Sequence, residues 1–291
     1  MKDLLDESSD LLLTAEYDYV SGNNPANSDL RVIQFVLKVF NKQRRILQSV
    51  TREVNDSGDI ARILGTSVAP PDSKKVEERN REVEKSFDQP SFDVKDGSLI
   101  LAKNNAHYAV QILRKRNGTG NAEAVTPKSV NGQPFVDLSV NDTFEIVLFS
   151  FETRCDASVD VTIDGLSVIN EFNEDGLQYE GYMVPRSSSG QPGTHHIPGW
   201  LKTTKSSQGN VFQFVINELG KGAATARKSR SSRGVINVQF FEAAPPGQDL
   251  PARSFGEVGT GKPVDVDYDV IQLQRRETPI VNIAVRYSNA Q

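Results

Sequence analysis

Cysteine is nearly missing. Cys155 is alone in 291 residues, which excludes an intrachain disulfide and any cysteine-built zinc cage within one chain. Tryptophan occurs once and histidine three times. Long apolar runs are missing too: the greasiest stretch, VIQFVLKVF at 32–40, is broken by Gln34 and Lys38. That is far short of the ~20 apolar residues needed to span a bilayer. The opening MKDLLDESSDLLL is acidic where a secretory signal carries a basic region. These absences predict a soluble chain without a signal peptide, in the cytoplasm or within an assembled particle.

What is present is unevenly charged. Residues 1–29 hold seven acids and one base, whereas residues 30–52 hold six bases and no acid. An acidic arm thus runs directly into a basic segment. In that segment Ile33, Val36, Leu37, Phe40 and Leu47 recur at helical spacings, with Arg31, Lys38, Lys42 and Arg45 on the opposite side. The pattern predicts an amphipathic helix over 28–54, capped by Asn27 and Ser28. A strand through 32–40 is the alternative, because β-branched residues are dense there. A charged helix over 74–86 follows a proline break at 65–73.

From about residue 91 short apolar runs alternate in polarity and are punctuated by Gly, Asn, Asp and Pro. Such spacing suits an antiparallel sheet architecture rather than βαβ units. VDVTIDGLSVIN (159–170) is the clearest hairpin, since Asp164-Gly165 tolerates the positive φ angles of a two-residue turn. The alanine-rich ELGKGAATARKS (218–229) is the one helical interruption expected. The reading is a mainly β protein: an antiparallel, jelly-roll-like β-sandwich over 91–291, one short inserted helix, and an N-terminal helical arm over 1–90.

The order of VTIDGLSV, YMVPRSSSGQPGTHHIPGWLKT, INELGKGAATARKS, GVINVQFF and GTGKPVDVDYDVIQLQRR…IVNIAVRYS resembles a family of bacterial, planctomycete-type domains. The resemblance covers roughly residues 140–288. It implies a β-sandwich and brings no catalytic residues with it, because the family has no established activity.

Two histidines and the tryptophan crowd into GTHHIPGW (193–200). His195 and His196 are the metal or acid–base candidates, yet neighbours on a strand point to opposite faces and cannot easily share one ion. Trp200 reads as a core anchor. GEVGTGKP (256–263) matches a phosphate loop until Pro263 takes the place of the magnesium-binding hydroxyl, so a nucleotide site is rejected. Asp265, Asp267 and Asp269 read as an exposed strand face, not a calcium loop. Lys221, Arg227, Lys228, Arg230 and Arg233 form a cationic cluster that offers contacts to an anionic surface. No aromatic residue interleaves it, which weakens the nucleic-acid reading.

The functional expectation is a non-catalytic sandwich that works by interaction or assembly, for instance a shell or capsid-like subunit, with no cofactor. Its N-terminal arm, through Ile33, Val36, Leu37, Phe40 and Leu47 and the bases Arg31, Lys38, Lys42 and Arg45, would contact another copy or a partner protein. The alternative is a metal-dependent or carboxylate-based hydrolase sited in the loop 185–198.

Overall fold

The computed structural model describes residues 11–21, 31–54, 61, 62, 64–69, 76–205, 210–229, 231, 233–245, 271–276 and 279–288. Over these the chain is mainly β, with antiparallel sheets and two α-helices. The helix expected over 28–54 is not there. In its place β2 (Arg31–Asn41) and β3 (Ile46–Val54) join β1 (Leu11–Ser21) in an antiparallel sheet of order β1-β2-β3. Two features of the segment favour strands. Val32, Ile33, Val36 and Val39 are β-branched and suit a pleated surface better than a helix. The positions 33, 35, 37 and 39 are also all apolar, so period two fits as well as 3.6.

The turn confirms the chemistry. Asn41 Oδ1 accepts the Arg45 backbone N–H at 2.9 Å, and the Asn41 carbonyl accepts the Arg44 N–H at 2.8 Å. Arg44 takes the left-handed conformation, φ 62°, that closes the hairpin. The supposed helical stripe is split as a result. Val36 and Phe40 point opposite to Leu37, and Leu47 is the extra residue where the register shifts beside Val39 and Phe40.

The helix α1 (Val76–Asp88) matches the charged helix expected over 74–86. After it come β4 (Phe92–Lys95), β5 (Leu99–Ala102), β6 (Tyr108–Lys115) and β7 (Glu123–Ala124). Next are β8 (Lys128–Val130), β9 (Gln133–Asp137), β10 (Thr143–Ser150), β11 (Asp156–Ile163) and β12 (Leu166–Ser167). The chain continues through β13 (Tyr182–Val184), β14 (Gly193–Ile197), β15 (Gly199–Leu201) and β16 (Val211–Val215). It ends with α2 (Ala223–Ala226), β17 (Val235–Ala244), β18 (Gln274–Arg275) and β19 (Val281–Ser288).

One eight-stranded sheet has the order β15-β16-β10-β6-β5-β4, with β14 on β10 and β7 on β6. The other runs β12-β11-β17-β19-β9-β8, with β13 on β11 and β18 on β17. Only β9 with β19 is parallel among the described pairs. The two sheets share one apolar core: Val110, Ile112, Ile146 and Leu148 from the first belong to it with Val159, Val161, Val238 and Ile283 from the second. Tyr108 stacks on Phe240 across the gap at 4.8 Å. The hairpin expected at 159–170 is present as β11 and β12, and its turn residues Asp164 and Gly165 have φ 53° and 80°.

Strand β17 is buried along its whole length, which requires cover on both faces. Residues 61–69 supply part of the second layer. Val68 bridges to Asn282, the Asn282 amide donates to the Thr66 carbonyl at 2.7 Å, and Asn237 donates to the Arg62 carbonyl at 3.1 Å. Ala61, Val68 and Val83 then form a small apolar cluster with Phe87, which fixes α1. Stretches of the region before residue 90 are therefore layered on the C-terminal sheet.

The inserted helix is shorter than the 218–229 expected. Gly220 takes φ 90° and Lys228 takes φ 54°, and between them only one turn of α-helix forms. GEVGTGKP and the aspartates Asp265, Asp267 and Asp269 lie outside the described residues.

Candidate functional site

The three-stranded sheet has one face that is mostly apolar. Cross-strand partners share a face, and the registers align Leu13 with Val39, Ala15 with Leu37 and Val50, and Tyr17 with Phe35. That face is wet. Leu13 is 65% exposed, Tyr17 61%, Leu11 59% and Leu37 42%. The opposite face is mixed: Lys38 Nζ meets Glu16 Oε2 at 2.7 Å there, while Leu12, Phe40 and Ile46 align toward one end of it. This contact joins the acidic residues 1–29 to the basic residues 30–52 within one chain. Lys42 and Arg45 lie in the β2–β3 turn, with their side chains exposed. Arg31 and Ile33 belong to β2, but their side chains lie outside the described residues.

His195 and His196 diverge, as strand geometry demands. Both lie on β14, which pairs with β10 so that His196 faces Val147 in register. The His195 ring sits 5.1 Å from that of Tyr182, a β13 residue of the other sheet. On the other side His196 Nε2 lies 2.6 Å from Glu145 Oε2, and Lys115 Nζ is 2.5 Å from Glu145 Oε1. Burial alone would raise the Glu145 carboxyl, but the hydrogen bonds and charges of Lys115 and His196 hold it below its usual range. No three His, Cys, Asp or Glu side chains converge as metal ligands among the described residues. The glycines flanking the pair are dictated by close approach. A Cβ at Gly193 would lie 1.6 Å from the Pro185 carbonyl oxygen, and one at Gly199 2.2 Å from that of Phe212.

A second polar cluster closes the end of the core near Tyr108. Glu152 accepts hydrogen bonds from Arg154 Nε at 2.9 Å and from its terminal nitrogen at 2.7 Å, and from two backbone N–H groups. These bonds outweigh burial and hold the Glu152 carboxyl down to about 2. Glu242 is bound by Arg276, and both are buried. Cys155 lies in the same region, 3% exposed, and burial with the nearby Glu242 and Glu152 charges pushes its thiol up to about 12. A thiol in that state is a poor nucleophile. Ellman's reagent at pH 8 should therefore label it at least ~100-fold more slowly in the native protein than in guanidinium; comparable rates would contradict this burial.

The cationic cluster is largely neutralised in place. Arg227 Nε is 3.3 Å from Glu171 Oε1, and its guanidinium carbon lies 4.7 Å from the centre of the Phe172 ring. Lys221 pairs with Glu218. Lys228 is exposed, and Arg230 lies outside the described residues. Arg233 is different, because it lines a cavity of about 560 Å³. Phe144, Trp200, Phe214, Ile216 and Tyr287 form the apolar wall of that cavity, and residues 217–220 and 222–225 line it as well. The cavity joins three things the sequence leaves apart: the tryptophan of GTHHIPGW, the Asp164-Gly165 turn and the cationic segment. Its volume lies in the range of small-molecule pockets, roughly 300–1,000 Å³.

No protein-family model, curated protein or solved structure matches the chain. No helix among the described residues is long and apolar enough to cross a membrane.

Proposed function

We propose that this is a non-catalytic, jelly-roll-like sandwich protein that assembles with a second copy of itself through its N-terminal sheet, as a shell or capsid-like subunit does. The observation that carries this reading is the wet apolar face of β1-β2-β3. A three-stranded sheet needs its hydrophobic face covered to be stable in water. Strands of 9–11 residues at about 3.4 Å per residue and ~4.8 Å spacing present about 500 Å² each, so two faces stacked would bury roughly 1,000 Å². That reaches the lower range of specific interfaces. The paired face has no acid among its described side chains, and Arg52 stands at its edge, so like charges do not crowd its centre. The apolar core shared by the two large sheets supports the sandwich part of this reading.

Light scattering on the intact chain tests this. The wild type should run as a dimer or larger species, and Leu13→Lys with Leu37→Lys should shift it to a monomer by weakening association at least ~100-fold. An unchanged mass in the double variant would sink the proposal.

The hydrolase reading retains one supporting observation, the 2.6 Å contact of His196 with Glu145, which orients an imidazole as a general base requires. Neither Ser, Thr nor Cys is hydrogen-bonded to that imidazole among the described contacts, so the pair lacks a nucleophile to activate.

A further inference from the structure

We propose that the cavity bordered by residues 217–225 binds a small amphipathic carboxylate, an apolar or aromatic body carrying one acid group. The body is accommodated by the wall. Phe144 and Phe214 stack at 5.0 Å, Trp200 meets Phe214 edge-on at 5.4 Å, and Ile216 and Ala224 fill between. Aromatic edges and aliphatic groups of this kind gain by excluding water from an apolar ligand.

The acid group is called for by Arg233. Its guanidinium is fixed by donating to the carbonyls of Ser231 at 2.7 Å, Ser229 at 2.8 Å and Ala224 at 3.3 Å. Three of the five guanidinium N–H donors are used in this way, which leaves two for an outside acceptor. No carboxylate pairs with Arg233 among the described residues. A carboxylate can accept a charge-assisted hydrogen bond from one of these donors, Nε–H or the remaining Nη1–H, and its charge complements the guanidinium.

The acids on the lining are already engaged. Asp164 Oδ1 accepts the Gly234 N–H at 2.8 Å and the Val235 N–H at 3.2 Å, while Oδ2 accepts the Tyr287 hydroxyl at 2.8 Å. Glu218 is bound to Lys221. One uncommitted cation on the lining suits a monoanion better than a dianionic phosphate. Leu219, 87% exposed, and Gly220 line the cavity on its solvent-exposed side. Val215, 43% exposed, also lines the cavity.

Trp200 is the chain's one tryptophan, so its fluorescence reports on this cavity alone. The probes are 4-phenylbutyrate, its primary amide and the matching amine, titrated into the intact protein. The carboxylate should give a saturable emission change, with the amide at least tenfold weaker and the amine weaker still. Arg233→Gln should erase the preference for acid over amide. The wild-type comparison needs no variant to fold, and an unchanged melting curve qualifies Arg233→Gln. The proposal is overturned by any of three results: no saturable change, equal binding of acid and amide, or an acid preference that survives Arg233→Gln.

Discussion

Arg276→Ala is expected to cost about 3–5 kcal/mol of folding stability, read as a lower urea midpoint at an unchanged slope. The reason is Glu242. Its side chain is 5% exposed and that of Arg276 6%, so removing the arginine strands a buried carboxylate. Arg154, with its terminal nitrogen 3.9 Å from Glu242 and already held by Glu152, is placed too far to take over the bond. The double variant Glu242→Gln with Arg276→Met should recover most of the loss, because an apolar replacement of both partners avoids the unpaired charge. A double variant as unstable as Arg276→Ala would mean that packing, not charge, dominates there.

The same cluster sets an acid limit. Glu152 has a folded-state pKa near 2, below its unfolded value near 4.5. The stability it contributes is complete above pH 4.5 and is lost as pH falls from there toward 2. Arg154→Ala removes the main cause of the shift, so the variant should show a flatter acid limb over that window in pH-dependent melting. An unchanged limb would assign the acid sensitivity to other carboxylates.

How much of this was legible from sequence depends on whether a signal is local. The Asp164-Gly165 hairpin was readable because alternation and turn chemistry agree within twelve residues. Residues 28–54 were misread because two periods fit one string, and the Asn41–Arg45 turn that decides between them contains neither glycine nor proline. Divergence of His195 and His196 followed from strand geometry alone. Their partners did not: Glu145 lies 51 residues before His196, and no spacing rule connects them. Arg233 was visible as one cation among five. Its distinction from Arg227 and Lys221, which have acidic partners nearby, appears only once the loop is folded. Likewise Trp200 reads correctly as an anchor, being 9% exposed, yet its place on a cavity wall requires the Asp164 turn and the 217–225 segment to meet it.

Phe240→Ala and Tyr108→Phe, two changes at one stacked pair, should differ sharply in their effect on stability. Phe240 is fully buried and contacts Tyr108 from the opposite sheet, so truncation leaves a cavity where the two sheets meet and should cost about 3–5 kcal/mol. The hydroxyl of Tyr108 has the reverse role. It is buried with no hydrogen-bond partner among the described residues, and burial, together with Cys155, Glu152 and Glu242, holds the phenol above its usual range. Folding strips water from that oxygen without replacing it, a penalty of about 1–3 kcal/mol in comparable sites. Removing the oxygen keeps the ring and its 4.8 Å stack, so Tyr108→Phe should be neutral or raise stability by up to about 1 kcal/mol. Urea unfolding of both variants decides the matter. Destabilisation of Tyr108→Phe by more than about 1 kcal/mol would mean that the hydroxyl serves a buried acceptor, with Glu152 and Glu242 the nearest anions to supply one.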